Sequence, residues 1–294
     1  MRQGAKLTRY LMTLALLVGC NESGRGASVA PAPVTVTGHV MTGGPVTQST
    51  IDVYLVLPDS SLSHLVATKT GSSGAYSFTT DMNVVTGHAL LITASGGQFV
   101  EDATGATATV PTFTVQTLSD PCPGLSAIVG DGAVLTIVNL TPLTTIAARR
   151  VAVLAARGPG MLGELEVIDV HEALTRALGL GSTDGPLDPR AVLPIDFASA
   201  TGASQATADP FAPAALYGAL LAGLSKSADQ LNLAGGSLAF VDALGVDFED
   251  GELDGESPRT SASDDPRSPV PLPGGAMLST TAWPRQEGAR GCVD

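Results

Sequence analysis

The chain has 294 residues, with 28 acidic against 15 basic side chains, a formal net charge of −13, and only 7 Phe, 4 Tyr and 1 Trp. A hydrophobic fraction of 44% excludes a chain that is disordered throughout, and the negative charge excludes a phosphate-reading, nucleic-acid-binding surface. The length has room for roughly two domains.

Arg2, Lys6 and Arg9 precede the apolar run Leu11 to Val18. A basic start followed by a short apolar stretch is the pattern of a secretory signal, and the run is well short of the ~20 residues that span a bilayer. It ends in Leu17-Val18-Gly19-Cys20, which resembles the bacterial lipobox. The resemblance implies removal of residues 1–19 and a Cys20 carrying three acyl chains, palmitate among them. That would be a firm membrane anchor, where a single chain gives marginal binding. An ordinary cleaved signal followed by a chance cysteine is the alternative. Cleavage removes three basic residues and no acidic one, taking the charge from −13 to −16. Anionic headgroups repel such a body, so the lipid is expected to hold it. Residues 20–33, rich in Gly, Ser, Ala and Pro, read as a flexible tether with a mean reach of about 20 Å. Asn21, where inner-membrane retention in enterobacteria uses Asp, points to the outer membrane.

Cys122 and Cys292 are the two other thiols. An extracytoplasmic compartment permits a disulfide between them, worth about 4 kcal/mol for so long a loop.

Residues 34–139 read as strands. Val34–Val40 and Ile51–Leu57 alternate, Leu65–Thr70, Tyr76–Phe78, His88–Thr93 and Thr107–Thr117 follow, and Gly43-Gly44-Pro45 and Gly71-Ser72-Ser73-Gly74 supply turns. Ala127–Val129 and Val134–Val138 flank an Asp-Gly turn at 131–132, a hairpin signal. Short, evenly spaced strands predict an antiparallel β-sandwich. Val36, Gly38 and Val40, then Ile51, Val53 and Tyr54, then Ala-Thr-Lys-Thr-Gly-Ser-Ser-Gly-Ala-Tyr-Ser-Phe at 67–78 resemble the carboxypeptidase regulatory-like domain. That domain is a prealbumin-like sandwich of bacterial surface proteins. Gly71 departs from its usual Asp and would loosen the expected hairpin. The resemblance implies an accessory or spacer module without catalysis.

Residues 140–256 read as a small helical domain, giving an α+β chain overall. Thr141-Pro142 is an N-cap with proline at the first helical position. Leu143, Ala147, Val151 and Leu154 form the first stripe; Val167, Val170, Leu174 and Leu178 form the second, which stops at Gly179. A loop is expected over 181–208. A third helix is expected from Asp209-Pro210 with Leu216, Leu220, Leu224 and Leu231 inward, and a fourth capped by Ser237 with Leu238, Val241, Leu244 and Phe248 inward. The stretches Asn139-Leu140-Thr141-Pro142-Leu143-Thr144-Thr145, Tyr217 to Ser225, and Asp247 to Gly255 are together similar to signatures of a group of uncharacterised bacterial lipoproteins. That resemblance implies no activity.

The motifs of catalysis are incomplete. Gly158 to Gly163 fits G-x-G-x-x-G but lies between helices with no strand before it, so it reads as a helix break. His171-Glu172 begins H-E-x-x-H, yet position 175 is Thr and the second imidazole is absent. His171 is expected to pack beside its stripe. The acidic run Asp247 to Glu256 is a candidate calcium loop through Asp247, Asp250, Glu252 and Asp254, because crowded carboxylates at a helix C-terminus favour a hard cation. On an EF-hand, Asp250, Glu252, Asp254 and Gly255 would take positions 1, 3, 5 and 6, but Ser261 stands where a bidentate Glu belongs. A solvated acidic loop is the simpler alternative. Residues 257–294 read as an irregular Pro/Gly-rich tail.

The sequence therefore points to a lipid-anchored, non-enzymatic envelope protein, binding or structural, with an unidentified envelope protein or glycan as partner. Glycan or peptidoglycan recognition by the sandwich is the second reading. An accessory or degenerate hydrolase, gathering His88 or His171 with a serine and a carboxylate, is the third.

Overall fold

Buried residues alternate with less buried ones along β1 (Pro33–His39) and along β2 (Thr50–Val56) as far as Leu55, as expected of strands with one face on a core. The computed structural model describes residues 33–57, 61–85, 88–102, 104–109, 115–119, 126–128, 134–157, 164–182, 185–255, 270–271 and 277–278. All belong to one unit, 31–294. Cys20, Cys122 and Cys292, with the expected signal at 1–19, residues 20–32 of the expected tether and the Gly158–Gly163 segment, lie outside the described residues; Pro33, expected in the tether, opens β1.

Two four-stranded sheets carry the β half. β3 (Leu62–Lys69) pairs with β2, β2 with β5 (Ala89–Ser95), and β5 with β8 (Val115–Ser119), all antiparallel. In the other sheet β4 (Ala75–Asp81) pairs with β1, and β9 (Ser126–Ile128) with β10 (Val134–Ile137), again antiparallel. β1 and β10 run parallel, with Val34 opposite Val134, so the expected purely antiparallel arrangement is corrected here. An antiparallel neighbour can follow through a tight turn; a parallel one needs the long excursion that separates these strands in sequence. A separate two-stranded ribbon joins β6 (Gln98–Val100) and β7 (Thr107–Thr109). The expected single strand over 107–117 is therefore split between two sheets.

The Gly71–Gly74 turn also differs from expectation. β3 and β4 belong to different sheets, so the turn carries the chain from one sheet to the other and closes no hairpin. The Gly71 N–H donates to the Ala75 carbonyl at 2.9 Å.

Val34, Val36, Tyr76 and Phe78 of one sheet and Ile51, Val53, Leu90 and Ile92 of the other share a single buried cluster. Gly38 is what lets the strands close around it. A Cβ there would fall 1.8 Å from the Val138 carbonyl oxygen and 2.9 Å from the Tyr76 ring. The room it leaves is used by the Tyr76 hydroxyl, which donates to the Val138 carbonyl at 2.6 Å.

Six α-helices are present among the described residues. After the single turn α1 (Met82–Val85) come α2 (Pro142–Arg157), α3 (Glu164–Ala177), α4 (Ala200–Ala208), α5 (Pro213–Gln230) and α6 (Gly236–Asp247). None is long and apolar enough to cross a membrane. Leu143, Val151, Val167, Leu174, Leu221 and Val241 form a second buried cluster that takes in Val56, Ala89 and Leu91. These last three project from the opposite face of β2 and β5, so β5 is buried on both sides, as its continuous apolar run requires. Packing therefore runs without a break across the change of secondary structure at 139/140.

Three helix expectations need correction. α4 lies inside the expected loop, capped by Ser199, whose hydroxyl accepts the Gly202 N–H. Its sequence of Ala, Thr, Ser and Gly has no apolar stripe to betray it. α5 begins at Pro213, not at 210, and buries Tyr217, Leu221, Leu224 and Ala228, with Leu216 and Leu220 only at the margin. Leu231 is 60% exposed beyond its end. Gly218 explains the rotation, since a Cβ there would meet the Ile195 carbonyl oxygen at 2.2 Å. At α6 the capping position falls to Gly235, with φ 102°, while Ser237 lies inside the helix. Within the expected tail, Val270–Pro271 and Met277–Leu278 pair as a short antiparallel ladder.

Candidate functional site

The first two signature stretches meet at a buried polar junction between the sheets and the helices. Thr141 caps α2: its Oγ1 accepts the Thr144 N–H at 3.2 Å, and the Thr144 Oγ1 accepts the Thr141 N–H at 2.9 Å. This is a capping box with threonine in the place usually held by glutamate. The Thr141 hydroxyl also hydrogen-bonds the Tyr217 hydroxyl of α5, and both residues are fully buried. Two residues before Thr141, the Asn139 Oδ1 accepts the His39 N–H at 3.1 Å, and its own N–H donates to the Arg190 carbonyl at 2.7 Å. Asn139 thereby ties β1 to the connection that leads from α3 to α4.

Arg190 and Asp188 form a bidentate pair, with Nε to Oδ1 at 3.0 Å and Nη2 to Oδ2 at 2.8 Å. The Arg190 side chain is 4% exposed and that of Asp188 31%. Burial works against an ionised Asp188, yet the hydrogen bonds and charge of Arg190 outweigh it and hold the carboxyl below its usual range. His171 is buried near the pair. Its Nδ1 donates to the Val167 carbonyl at 2.7 Å, one helical turn back, which leaves Nε2 as a buried lone pair without a partner. Burial, seconded by the Arg190 charge, lowers the imidazole to about 4, against the pull of Asp188 and the Val167 carbonyl. The ring is neutral at physiological pH. Burial drives the Tyr217 phenol upward, so it stays protonated.

His171 was legible as a packed side chain; Asp188 and Arg190 carried no motif. The Thr175 hydroxyl, at the position of the missing second imidazole, donates back to the His171 carbonyl at 3.0 Å. Among the described residues no serine or cysteine hydrogen-bonds a histidine ring, and the His88 Nδ1 is buried without a partner.

A second polar contact lies at the far end of α5. The Glu101 carboxylate accepts Ser225 Oγ of α5 at 2.6 Å and Ser237 Oγ of α6 at 3.0 Å. Beside it, burial first, then Asp196 and Glu101, raise Asp102 to about 6.

The third signature folds as a charged corner. Arg149 of α2 pairs with Asp242 and, at 3.0 Å, with Glu249, and Arg150 donates to the Glu249 carbonyl. The Asp250 Oδ1 accepts the Glu252 N–H at 3.0 Å, and the Asp247 Oδ1 accepts the Gly255 N–H at 2.9 Å. Gly251, with φ 102°, turns the chain against Arg150. Arg149 thus meets the Glu249 carboxylate, and backbone N–H groups bond Asp247 and Asp250. Among the described residues no group of three or more His, Cys, Asp or Glu is placed to hold a metal, so Asp247, Asp250, Glu252 and Asp254 are not gathered into a ligand set.

No protein-family model matches the chain, and no curated protein matches it. One solved structure that does is the dioxygenase domain of a dioxygenase–carbohydrate-binding protein fusion from the cellulolytic bacterium Streptomyces sp. SirexAA-E. Its sequence is 14% identical, and the alignment covers 39% of this chain and 82% of that one with a TM-score of 0.23. So loose a superposition carries neither fold nor activity across.

Proposed function

We propose that this chain is a lipid-anchored protein of the bacterial cell envelope, held through Cys20 and directed to the outer membrane. Its folded part is a prealbumin-like β-sandwich with packed helices, serving as a non-catalytic binding or structural module. The observation that carries this reading is the run from Arg2 to Cys20: basic start, short apolar stretch, Leu-Val-Gly-Cys end. Two sheets enclosing Val36, Ile51, Val53, Leu90 and Ile92 support the sandwich. The non-catalytic reading draws support from His171, whose neutral ring is buried with its Nε2 hydrogen-bonded to no group among the described residues. Expression of the full chain in a Gram-negative host, followed by mass spectrometry of the mature N-terminus, tests the anchor. A triacylated Cys20 and loss of residues 1–19 are expected, and Cys20→Ala should release the protein from the membrane fraction. An unmodified Cys20 overturns the reading.

One surface group favours glycan recognition as a second reading. His64 Nε2 lies 3.2 Å from Asp52 Oδ1, and its ring meets that of half-buried Tyr54 edge to face at 5.3 Å. A carboxylate beside exposed ring surface suits sugar hydroxyls and C–H faces. Calorimetry with peptidoglycan fragments tests it: heat abolished by Tyr54→Ala supports the reading, and a silent titration of the unaltered protein removes it.

A further inference from the structure

The ribbon β6–β7 has three residues in each strand; its backbone joins the sheets at the bridge from Gln98 to Thr47, and Phe99 is buried in the core between the sheets. Its turn is closed by the Glu101 N–H to the Ala106 carbonyl at 2.9 Å and the Gly105 N–H to the Glu101 carbonyl at 2.8 Å. Two acids stand at that turn and serve opposite sides. Glu101 grips Ser225 and Ser237, which are 1% and 3% exposed, and so links the ribbon to α5 and α6 together. Asp102 is pressed against the turn after β1, where a Cβ on Gly43 would lie 2.6 Å from its Oδ2. The other oxygen, Oδ1, is buried without a hydrogen-bond partner.

The charged groups acting on Asp102 are Asp196, from the connection between α3 and α4, and Glu101 beside it. Gly43, Ser225 and Ser237 do not titrate, and Glu101, Asp102 and Asp196 make no ion pair among the described residues. An ionised Asp102 therefore places a buried acceptor without a donor next to two like charges. A protonated one removes a charge from beside Glu101 and Asp196 and gives the buried carboxyl an O–H that can donate. The strain falls at the ribbon's turn, beyond the Phe99 anchor, where residues 104–107 are exposed and local opening is cheapest.

We propose that Glu101 and Asp102 form a proton-operated clasp: with Asp102 protonated the ribbon seats and Glu101 holds α5 and α6, and loss of that proton lets the ribbon leave the helices. The clasp does not depend on the lipid anchor, and it makes the ribbon a switch between mildly acidic and neutral surroundings.

Amide hydrogen exchange on the full chain in detergent, corrected for intrinsic rates, reads the clasp at Glu101 and Gly105. Their protection should fall about tenfold between pH 5 and pH 7.5, the change expected when a carboxyl regains its ordinary acidity on opening. In Asp102→Asn the protection should be high and equal at both values. Asp196→Asn, which keeps the side-chain acceptor for the Ala198 N–H, should shrink the drop. Equal protection at both values in the unaltered protein overturns the proposal, as does a full drop persisting in Asp102→Asn.

Discussion

Thr141 and Tyr217, 76 residues apart, share a hydrogen bond between hydroxyls that are both sealed from solvent. One belongs to the cap of α2 and the other to the inward face of α5, so a single contact sets where α5 lies over the start of the helical half. Tyr217→Phe leaves the ring in place and removes only the hydroxyl. It should cost about 1–2 kcal/mol in denaturant unfolding, and Thr141→Val a similar amount plus the loss of the cap. Because both changes break one bond, the double variant should cost less than the sum of the two. Additive costs would mean that the hydroxyls are not coupled.

Gly38→Ala tests the close approach of β1 to Val138. The added methyl would stand 1.8 Å from a backbone oxygen, and the Val138 peptide, held by its N–H to Thr37 and the next Leu140 N–H to His39, cannot swing aside as a flexible side chain can. A loss of about 3 kcal/mol or more is expected, with a large drop in soluble yield. Gly223→Ala, with open space around the new methyl, is the control and should leave Tm within a few degrees.

Two buried groups give the stability opposite slopes against pH. His171 is lowered from 6.5 to about 4, so its contribution is complete above pH 6.5 and is lost as pH falls toward 4. Asp102 is raised from 3.8 to about 6, so its contribution is complete at low pH and is lost as pH rises from about 4 to 6. The two partly cancel between pH 4 and 6. Asp102→Asn should therefore steepen the acid side of the unfolding curve. At pH 7.5 it should raise stability by about 1–2 kcal/mol, allowing for partial exposure of the group. Unfolding curves for both proteins at intervals from pH 4 to 7.5 check this, and parallel curves would contradict it.

Arg190→Lys keeps the charge and abandons the fork. The bidentate contact with Asp188 cannot be rebuilt by an ammonium, and the Lys head group would have to stay in a site that is 4% exposed. A cost of about 2–4 kcal/mol is expected, nearly as large as for Arg190→Ala. Recovery of most of the stability by lysine would show that charge alone holds the pair.

Much of the chain's local structure was legible because it depends on neighbours in sequence. Alternation placed β1 and β2, Thr141-Pro142 opened α2, and the stripe from Val167 to Leu174 defined the buried side of α3. What failed was any feature whose partner lies far along the chain. The small residues of α4 make a helix only because Ser199 caps them and the fold receives them. Leu216 and Leu220 lost the inward face of α5 to Tyr217 and Leu221 because Gly218 must clear the Ile195 backbone. The acidic run was legible as charge, but not the partner of one of its members: Glu249 meets Arg149, 100 residues earlier.

By itself the sequence determined where β1 and β2 alternate and where α2 begins, because periodicity and caps are short-range properties. The parallel contact of β1 with β10, the burial of His171 beside Arg190, and the union of Glu101 with two serines on different helices were decided only in three dimensions. Each joins residues whose chemistry is unremarked until the chain brings them out of water together.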